Sequence, residues 1–387
     1  VFKQIFADFH IHIGRSLGKP VKMAAAPTLT VERLLEHARV KKGLQLVTII
    51  DAVCTNVLTE LRAMEKSDLL EHLPGGGYAT PGGLVVLLGS EVEVGGPRGG
   101  AAHFGCWFSS LDEAEDFNHW LQSVQRNVTL SSQRASVDAG ILQYEVLSRK
   151  GIFIVHHAFT PHKGLYGNCV SQLDDMLDSS QIDALELGLS SDTNMADCIS
   201  ELQDVTFISN SDAHSLPKIA REYNQLQVTD ITFEEVQKAL RRKQERRVTT
   251  NYGLHPALGK YHRTYCVHCE NLWPDKAIAC QCGSKKFVLG VADRLMQIRN
   301  LDEPNSPSHR PPYIHQVPLE FVPGLGPKTM NKLLDAFGTE MNILHDATVS
   351  DLTTVVGETM SLRIDDARLG RIHIQSGGGG TYGKLLT

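Results

Sequence analysis

Seven short apolar runs, each containing or abutting a histidine or a carboxylate, constrain this chain more than any other feature of its sequence. QIFADFH, LQLVTII, LVVLLGSEVEV, AAHFGCWF, GIFIVHH, DALELGL and VTFISNSDAH read as buried strands. Between and after them lie amphipathic stretches such as VERLLEHARVKKG, LDEAEDFNHWLQSV, GILQYEVLSRK and FEEVQKALRRKQERR, which read as helices. Strand–helix alternation over residues 1–255 predicts an α/β barrel or a doubly wound sheet. Titratable residues collected at the C-terminal ends of the strands favour a barrel-like enzyme, because α/β folds build their sites there.

The chain has 387 residues, 42% of them hydrophobic, enough for one large core with small satellites. A net charge of -6 means that any nucleic-acid contact must come from local basic patches. KALRRKQERR, residues 238–247, is one such patch, read as a solvated helix face or the lining of a DNA channel. No run approaches the roughly 18 apolar residues of a membrane span, and residues 1–20 lack a signal-peptide pattern. The expectation is a cytoplasmic, monomeric protein without membrane contact. Four divisions follow: a barrel at 1–255, a Cys-rich segment at 256–290, a Pro-rich extended linker at 291–315 and a helical region with a Gly-rich tail at 316–387.

Alternate residues of a strand share a face, so His10 and His12 can present both imidazoles to one site. Asp212 and His214 repeat that spacing at another strand end, and Glu91, Glu93, His103, His156 and His157 close or occupy others. A mixed His/carboxylate set without cysteine suits Zn²⁺, Mn²⁺ or Fe in a reactive site more than a structural zinc. Adjacent divalent ions acidify a bound water and clamp the oxygens of a phosphoryl group, so phosphate-ester hydrolysis is the chemistry to expect.

The motifs ADFHIH, IIDA, GSEVE, AHF, HHAFTPH and NSDAH, in this order over residues 7–214, resemble those of the PHP (polymerase and histidinol phosphatase) phosphoesterase superfamily. The resemblance implies a distorted (β/α)7 barrel with a centre of two or three divalent metals, zinc with Mn or Mg as alternatives. It assigns His10, His12 and Asp212 to one metal, and Glu91 as a bridge to a second held by His103 and His157. Asp51 and His214 would serve a third. His156 and His157 compete for one role, and the run from His157 onward favours the latter. The same resemblance gives the reactive centre to Asp212, His10, His12 and Glu91, and leaves Glu93, His162 and Glu186 as supporting or surface groups. Two positions depart from the pattern: Ala52 follows Asp51 where the superfamily has histidine, and Gly14-Arg15-Ser16 replaces a Ser-Asp-Gly turn. The third metal then has fewer protein ligands, or water.

Cys266-Val-His-Cys269 and Cys280-Gln-Cys282 read as the two knuckles of a zinc ribbon holding one structural ion. In FVPGLGPKTMNKLLDAFG, the turn around Gly324 and Gly326 opens a helix with Lys328 and Lys332 one turn apart. That segment resembles a helix–hairpin–helix motif, which grips the DNA backbone without reading sequence. Barrel, YHRTYC ribbon, VPGLGPKT hairpin and GGGGTYGKL tail together resemble the endonuclease Q family. That family would act on damaged duplex or single-stranded DNA, cutting 5′ of deoxyuridine, hypoxanthine, xanthine or an abasic site after base flipping. LELGLSSDTN and the 157–166 loop with Phe159 and Tyr166 are candidate pocket walls. The alternatives are a small-molecule phosphatase, which needs neither ribbon nor hairpin, and a non-catalytic DNA-binding module.

Overall fold

Residues Ile5, Ala7 and Phe9 of strand β1 (Lys3–Ile11) enter an apolar cluster supplied by strands from all round the main sheet. Leu46 of β2 (Leu46–Ile49), Leu87 of β3 (Val85–Gly95) and Trp107 of β4 (Ala101–Phe108) join it. So do Ile154 of β5 (Ile152–Val155), Ala184 of β6 (Ala184–Glu186) and Ile208 of β7 (Phe207–Ile208). One shared interior for seven strands is the signature of a sheet curled on itself. The computed structural model describes the chain except residues 275, 276, 372, 373, 376, 378–380, 386 and 387.

The spatial order runs β7-β6-β5-β4-β3-β2-β1, then continues through β8 (Tyr223–Val228), β9 (Arg247–Gly253) and β10 (Tyr313–His315). β1 is parallel to β2 and β2 to β3, whereas β4 is antiparallel to both β3 and β5, which distorts the barrel. Closure is made largely by side chains. Asn224 of β8 donates to the side-chain oxygen of Asn210, just past β7, at 3.0 Å, and Asn251 of β9 donates to Asn224 at 2.9 Å. Asn210 in turn accepts from the Phe9 N–H at 3.2 Å, and Ala213 bridges Ile11. These amides are fully buried, so each must find its partners within the seam.

Helices α1 (Val31–Glu36), α2 (Thr55–Lys66), α3 (Leu111–Val124) and α4 (Ala139–Ser148) cover the outer face. Leu34, Leu61, Phe117 and Leu142 pack there over Val47, Val86 and Phe104. α5 (Phe233–Leu240) instead contributes Phe233 and Val236 to the inner cluster. No helix among the described residues is long and apolar enough to cross a membrane.

Residues 291–315, expected to be an extended linker, are bound to the barrel. They begin with α6 (Val291–Ile298) and end in β10, parallel to β9. Between them the Arg310 guanidinium lies 2.9 Å from Asp197, donates to the carbonyls of Leu202 and Val205, and stacks 3.6 Å from the Phe207 ring centroid. Prolines mark an extended path correctly, but they carry no information about a buried arginine that fastens it. The C-terminal unit comprises α7 (Pro327–Phe337), α8 (Val349–Val356) and α9 (Glu358–Arg368). Its Leu333, Leu352 and Ile364 belong to the same apolar cluster as the barrel's outer face. Lys42 pairs with Glu340 at 2.9 Å, and His345 stacks on Phe6 at 4.4 Å while bonded to the Tyr223 hydroxyl at 2.7 Å.

Both partners of the Arg310–Asp197 pair are buried, so removing one strands the other. Arg310→Ala should lower stability by about 3–5 kcal/mol in urea unfolding, with faster proteolysis between residues 299 and 312. An unchanged midpoint would contradict the fastening role.

Candidate metal centre and nucleic-acid interface

Three strand ends and the β3–β4 hairpin deliver the centre. His10 and His12 leave β1, Glu91 sits in β3, His103 in β4, His157 follows β5 and Asp212 follows β7. Their ligand atoms form two groups, His10/His12/Asp212 and Glu91/His103/His157, each within 4.8 Å, and His156 makes a third, overlapping group with His10 and Glu91. Asp212 Oδ1 lies 3.5 Å from His10 Nε2 and 3.4 Å from His12 Nε2. Glu91 joins the groups: Oε2 is 3.3 Å from His10 Nε2 and 3.4 Å from His157 Nε2, and Oε1 is 3.1 Å from His103 Nδ1.

The donor chemistry fits divalent metal. His10 and His12 point Nε2 at each other across 3.3 Å. Their other nitrogens are engaged behind, His10 Nδ1 with Glu186 at 2.9 Å and His12 Nδ1 with Asp51 at 3.0 Å. A carboxylate on Nδ1 fixes the tautomer and leaves the Nε2 lone pair for a metal. Two such nitrogens facing one another beside Asp212 suit a cation between them. Burial alone would raise both carboxyls, yet His103 and Lys22 hold Glu91, and His10 and His12 hold Asp212, well below the usual range. Both are therefore ionised, the form that binds metal.

The supporting shell is equally specific. Glu93 pairs with His103 Nε2 at 3.5 Å and with Lys163 at 2.7 Å. Although burial works against it, these bonds bring its pKa down to about 2. Asp8 accepts from the backbone of Ser211 at 3.1 Å and Ala220 at 2.9 Å, which ties the Asp212 loop to β1. Asp212 itself has φ +45°, in the left-handed region that ordinary residues seldom adopt. In the sequence Asp8 is legible only as a member of its motif, not for this role, whereas Glu186 is expected as a supporting or surface group.

Two expected positions differ. Asp51 joins no ligand group: its oxygens take His12 Nδ1, the Ile13 N–H at 2.7 Å and the Ser131 hydroxyl. The correction has a physical reason, since a carboxylate spent on orienting His12 has no oxygen turned to the cavity. His214 donates Nδ1–H to the Asp212 carbonyl at 2.9 Å and faces the cavity, but no group of three includes it. Burial pushes its pKa down to about 4, so it is neutral. His156, the alternative to His157, is fully buried, with Nδ1 3.1 Å from Glu91 and Nε2 toward Gly105, where a Cβ would come within 2.3 Å of it.

The centre opens into a cavity of about 500 Å³ whose walls include His162, Gly188, Leu189, Ser190, Lys218, Arg221, Lys260, Tyr261 and Tyr382. The LELGLSSDTN segment thus supplies wall residues, as expected. Phe159 and Tyr166 do not, because they stack on each other at 5.4 Å in the core. The 238–247 patch follows α5 and lines a separate cleft, where Arg241 pairs with Asp183 and Arg246 with Glu235 at 2.9 Å. It does not line the metal cavity.

No model of a known protein family matches the sequence. The chain is 45% identical over 387 residues to the uncharacterised protein YqxK of Bacillus subtilis, covering 99% of each. It is 36% identical over 261 residues to the uncharacterised protein MJ0043 of Methanocaldococcus jannaschii, 60% of this chain and 31% of that one. The lesion-specific endonuclease PfuEndoQ of Pyrococcus furiosus has the same fold at TM-score 0.86 and 29% identity, over 99% of this chain and 95% of that one. An endonuclease Q complex with a 27-mer duplex bearing an abasic lesion matches at TM-score 0.86 and 29% identity, over 99% and 96% of the chains. This chain belongs to the endonuclease Q family.

In this member of the endonuclease Q family the four ribbon cysteines converge. Cys266 Sγ lies 3.6 Å from Cys282 Sγ and Cys269 Sγ 3.5 Å from Cys280 Sγ, all four within 4.8 Å. A tetrahedron with Zn–S near 2.3 Å would have sulfur edges of about 3.8 Å, so the cage suits zinc. His268 is exposed and outside it. In the hairpin, Gly324 has φ +83°, Leu325 is buried, and Lys328 and Lys332 stand exposed on the first turns of α7. Cys266→Ser should release about one equivalent of zinc and lower the melting temperature while the barrel retains its metals. A variant that keeps both its zinc and its melting temperature would exclude the cage.

Proposed function

We propose that this protein is a metal-dependent DNA-repair endonuclease that hydrolyses the phosphodiester 5′ of a deaminated base (deoxyuridine, hypoxanthine or xanthine) or an abasic site. As a member of the endonuclease Q family the chain is a nuclease that binds DNA. The observation that carries the finer reading is the joining of the two ligand groups by Glu91 at the floor of a cavity walled by bases and aromatics. Two divalent ions there would supply an acidified water and stabilise the charge of the transferring phosphoryl group. His10, His12 and Asp212 would hold one, and Glu91, His103 and His157 the other.

The chain's own residues do the rest. Lys218, Arg221 and Lys260 give the cavity rim positive charge, which favours a phosphate over water. A volume of about 500 Å³ accommodates an extruded nucleotide, and Leu189 and Tyr261 offer it apolar contact. Damaged and abasic positions cost less to unstack, which supplies part of the discrimination. Lys328, Lys332 and the Gly324–Gly326 turn would hold the backbone nearby without reading bases. A small-molecule phosphatase would use the same metals but not the ribbon or hairpin.

Duplex oligonucleotides bearing one deoxyuridine, hypoxanthine, xanthine or abasic site should be nicked 5′ of the lesion, and undamaged duplex left intact. Asp212→Ala should reduce nicking by at least about 10³-fold with the circular dichroism spectrum unchanged. Full activity in that variant would sink the mechanism. Lys328→Ala should weaken binding to damaged and undamaged DNA alike and flatten the dependence of affinity on salt, since phosphate contacts carry no base information. A changed lesion preference with unaltered affinity would instead put the hairpin in the recognition pocket.

A further inference from the structure

We propose that Lys22 takes the place of a third barrel cation, so that the centre of this chain is binuclear. The inference rests on the metal-dependent reading above and settles how many ions that centre takes. Asp51, the carboxylate expected to hold a third ion, is 1% exposed and has both oxygens occupied by His12, the Ile13 N–H and Ser131. His214 faces the cavity with Asp212, already a member of the first ligand group, as its carboxylate neighbour, Nδ1 to Oδ1 being 3.5 Å. What does reach that side of the centre is an ammonium. Lys22 Nζ donates to Glu91 Oε1 at 3.1 Å and to the Ser132 hydroxyl, which also donates to Glu91. It lines the same cavity as Asp212 and His214.

The position of this lysine is built, not incidental. The chain leaves β1 at His12, turns through a short hairpin (Arg15–Ser16 with Lys19–Pro20) and returns against its own start. Val21 N–H donates to the Gly14 carbonyl at 3.0 Å and Lys22 N–H to the Ile13 carbonyl at 2.9 Å. From the other side Ser131 N–H donates to the Val21 carbonyl at 3.0 Å. Three backbone bonds thus fix the root of the side chain, and the side chain is only 15% exposed. The two departures from the superfamily pattern, Gly14-Arg15-Ser16 and Ala52, flank this arrangement: one creates the hairpin that brings Lys22 in, the other removes a ligand beside Asp51.

An ammonium about 3 Å from a carboxylate oxygen excludes a divalent ion from the same approach to it. It also places a compact positive charge with directional donors beside the position of a bound phosphoryl oxygen. Lys22 would then neutralise phosphate charge without being lost to chelators.

Elemental analysis and native mass spectrometry of the full chain, equilibrated with excess Zn²⁺ or Mn²⁺ and desalted, test this. The wild type should hold three ions, two in the barrel and one in the ribbon, and Lys22→Asp should hold four. Lys22→Met should stay at three while nicking falls on the order of 10²-fold. Four ions in the wild type, no gain in Lys22→Asp, or a Lys22→Met enzyme that nicks at the wild-type rate would each overturn the replacement. A wild type holding only the ribbon ion is a separate result, and would overturn the metal-dependent reading itself.

Discussion

Buried carboxylates behind the two histidines of β1 set the conditions for everything else at the centre. Glu186 holds His10 and Asp51 holds His12, each through Nδ1, and none of the four side chains has water to fall back on. Such groups are costly to bury unless every one is satisfied, so the ends of β1, β2 and β6 must meet in one register. That register in turn determines where Glu91 and Asp212 arrive. Asp8 and the Asn210–Asn224–Asn251 seam serve the same end from the far side, by holding the last strand of the barrel to the first.

Much of this was legible in the residues themselves. Strand ends carrying His10, His12, Glu91, His103 and Asp212 announce their purpose because a buried strand has no other use for so many titratable groups. The six ligand atoms that converge are those for which period-2 alternation or motif order supplied the argument. Asp51 was harder. A carboxylate that ligates a metal and one that orients a ligating histidine look alike in sequence, and only the direction of its oxygens separates them. Lys22 left no trace, since it lies in a hairpin between motifs and is brought to Glu91 by backbone pairing. Phe159 and Tyr166 misled for a related reason: aromatics on a loop after a strand suggest a wall, but these two satisfy each other in the core. The 291–315 segment shows the converse, where Pro-rich composition concealed the buried guanidinium of Arg310.

The candidate metal centre and the hairpin are built on different parts of one continuous apolar core. Helices α7, α8 and α9 share that core with the barrel's outer layer, so the hairpin is no tethered appendage. The ribbon closes on its own antiparallel pair, Tyr265–Cys266 with Phe287–Val288, and is held to the barrel through α6, whose Arg294 donates to the carbonyls of Tyr166 and Val170. Its cage replaces the apolar interior that so short a segment lacks.

The addition of β10 to the sheet edge has a geometric consequence. Because Tyr313–His315 is laddered to β9, and Lys42–Glu340 and His345–Tyr223 lock the helices on the other side, the hairpin cannot swing relative to the metals. On the proposed function the molecule would act as a caliper with a set gap: the stretch of duplex between a backbone held at Gly324–Gly326 and a phosphate over Glu91 would have a constant length. A footprint of fixed size would then follow from a strand of three residues.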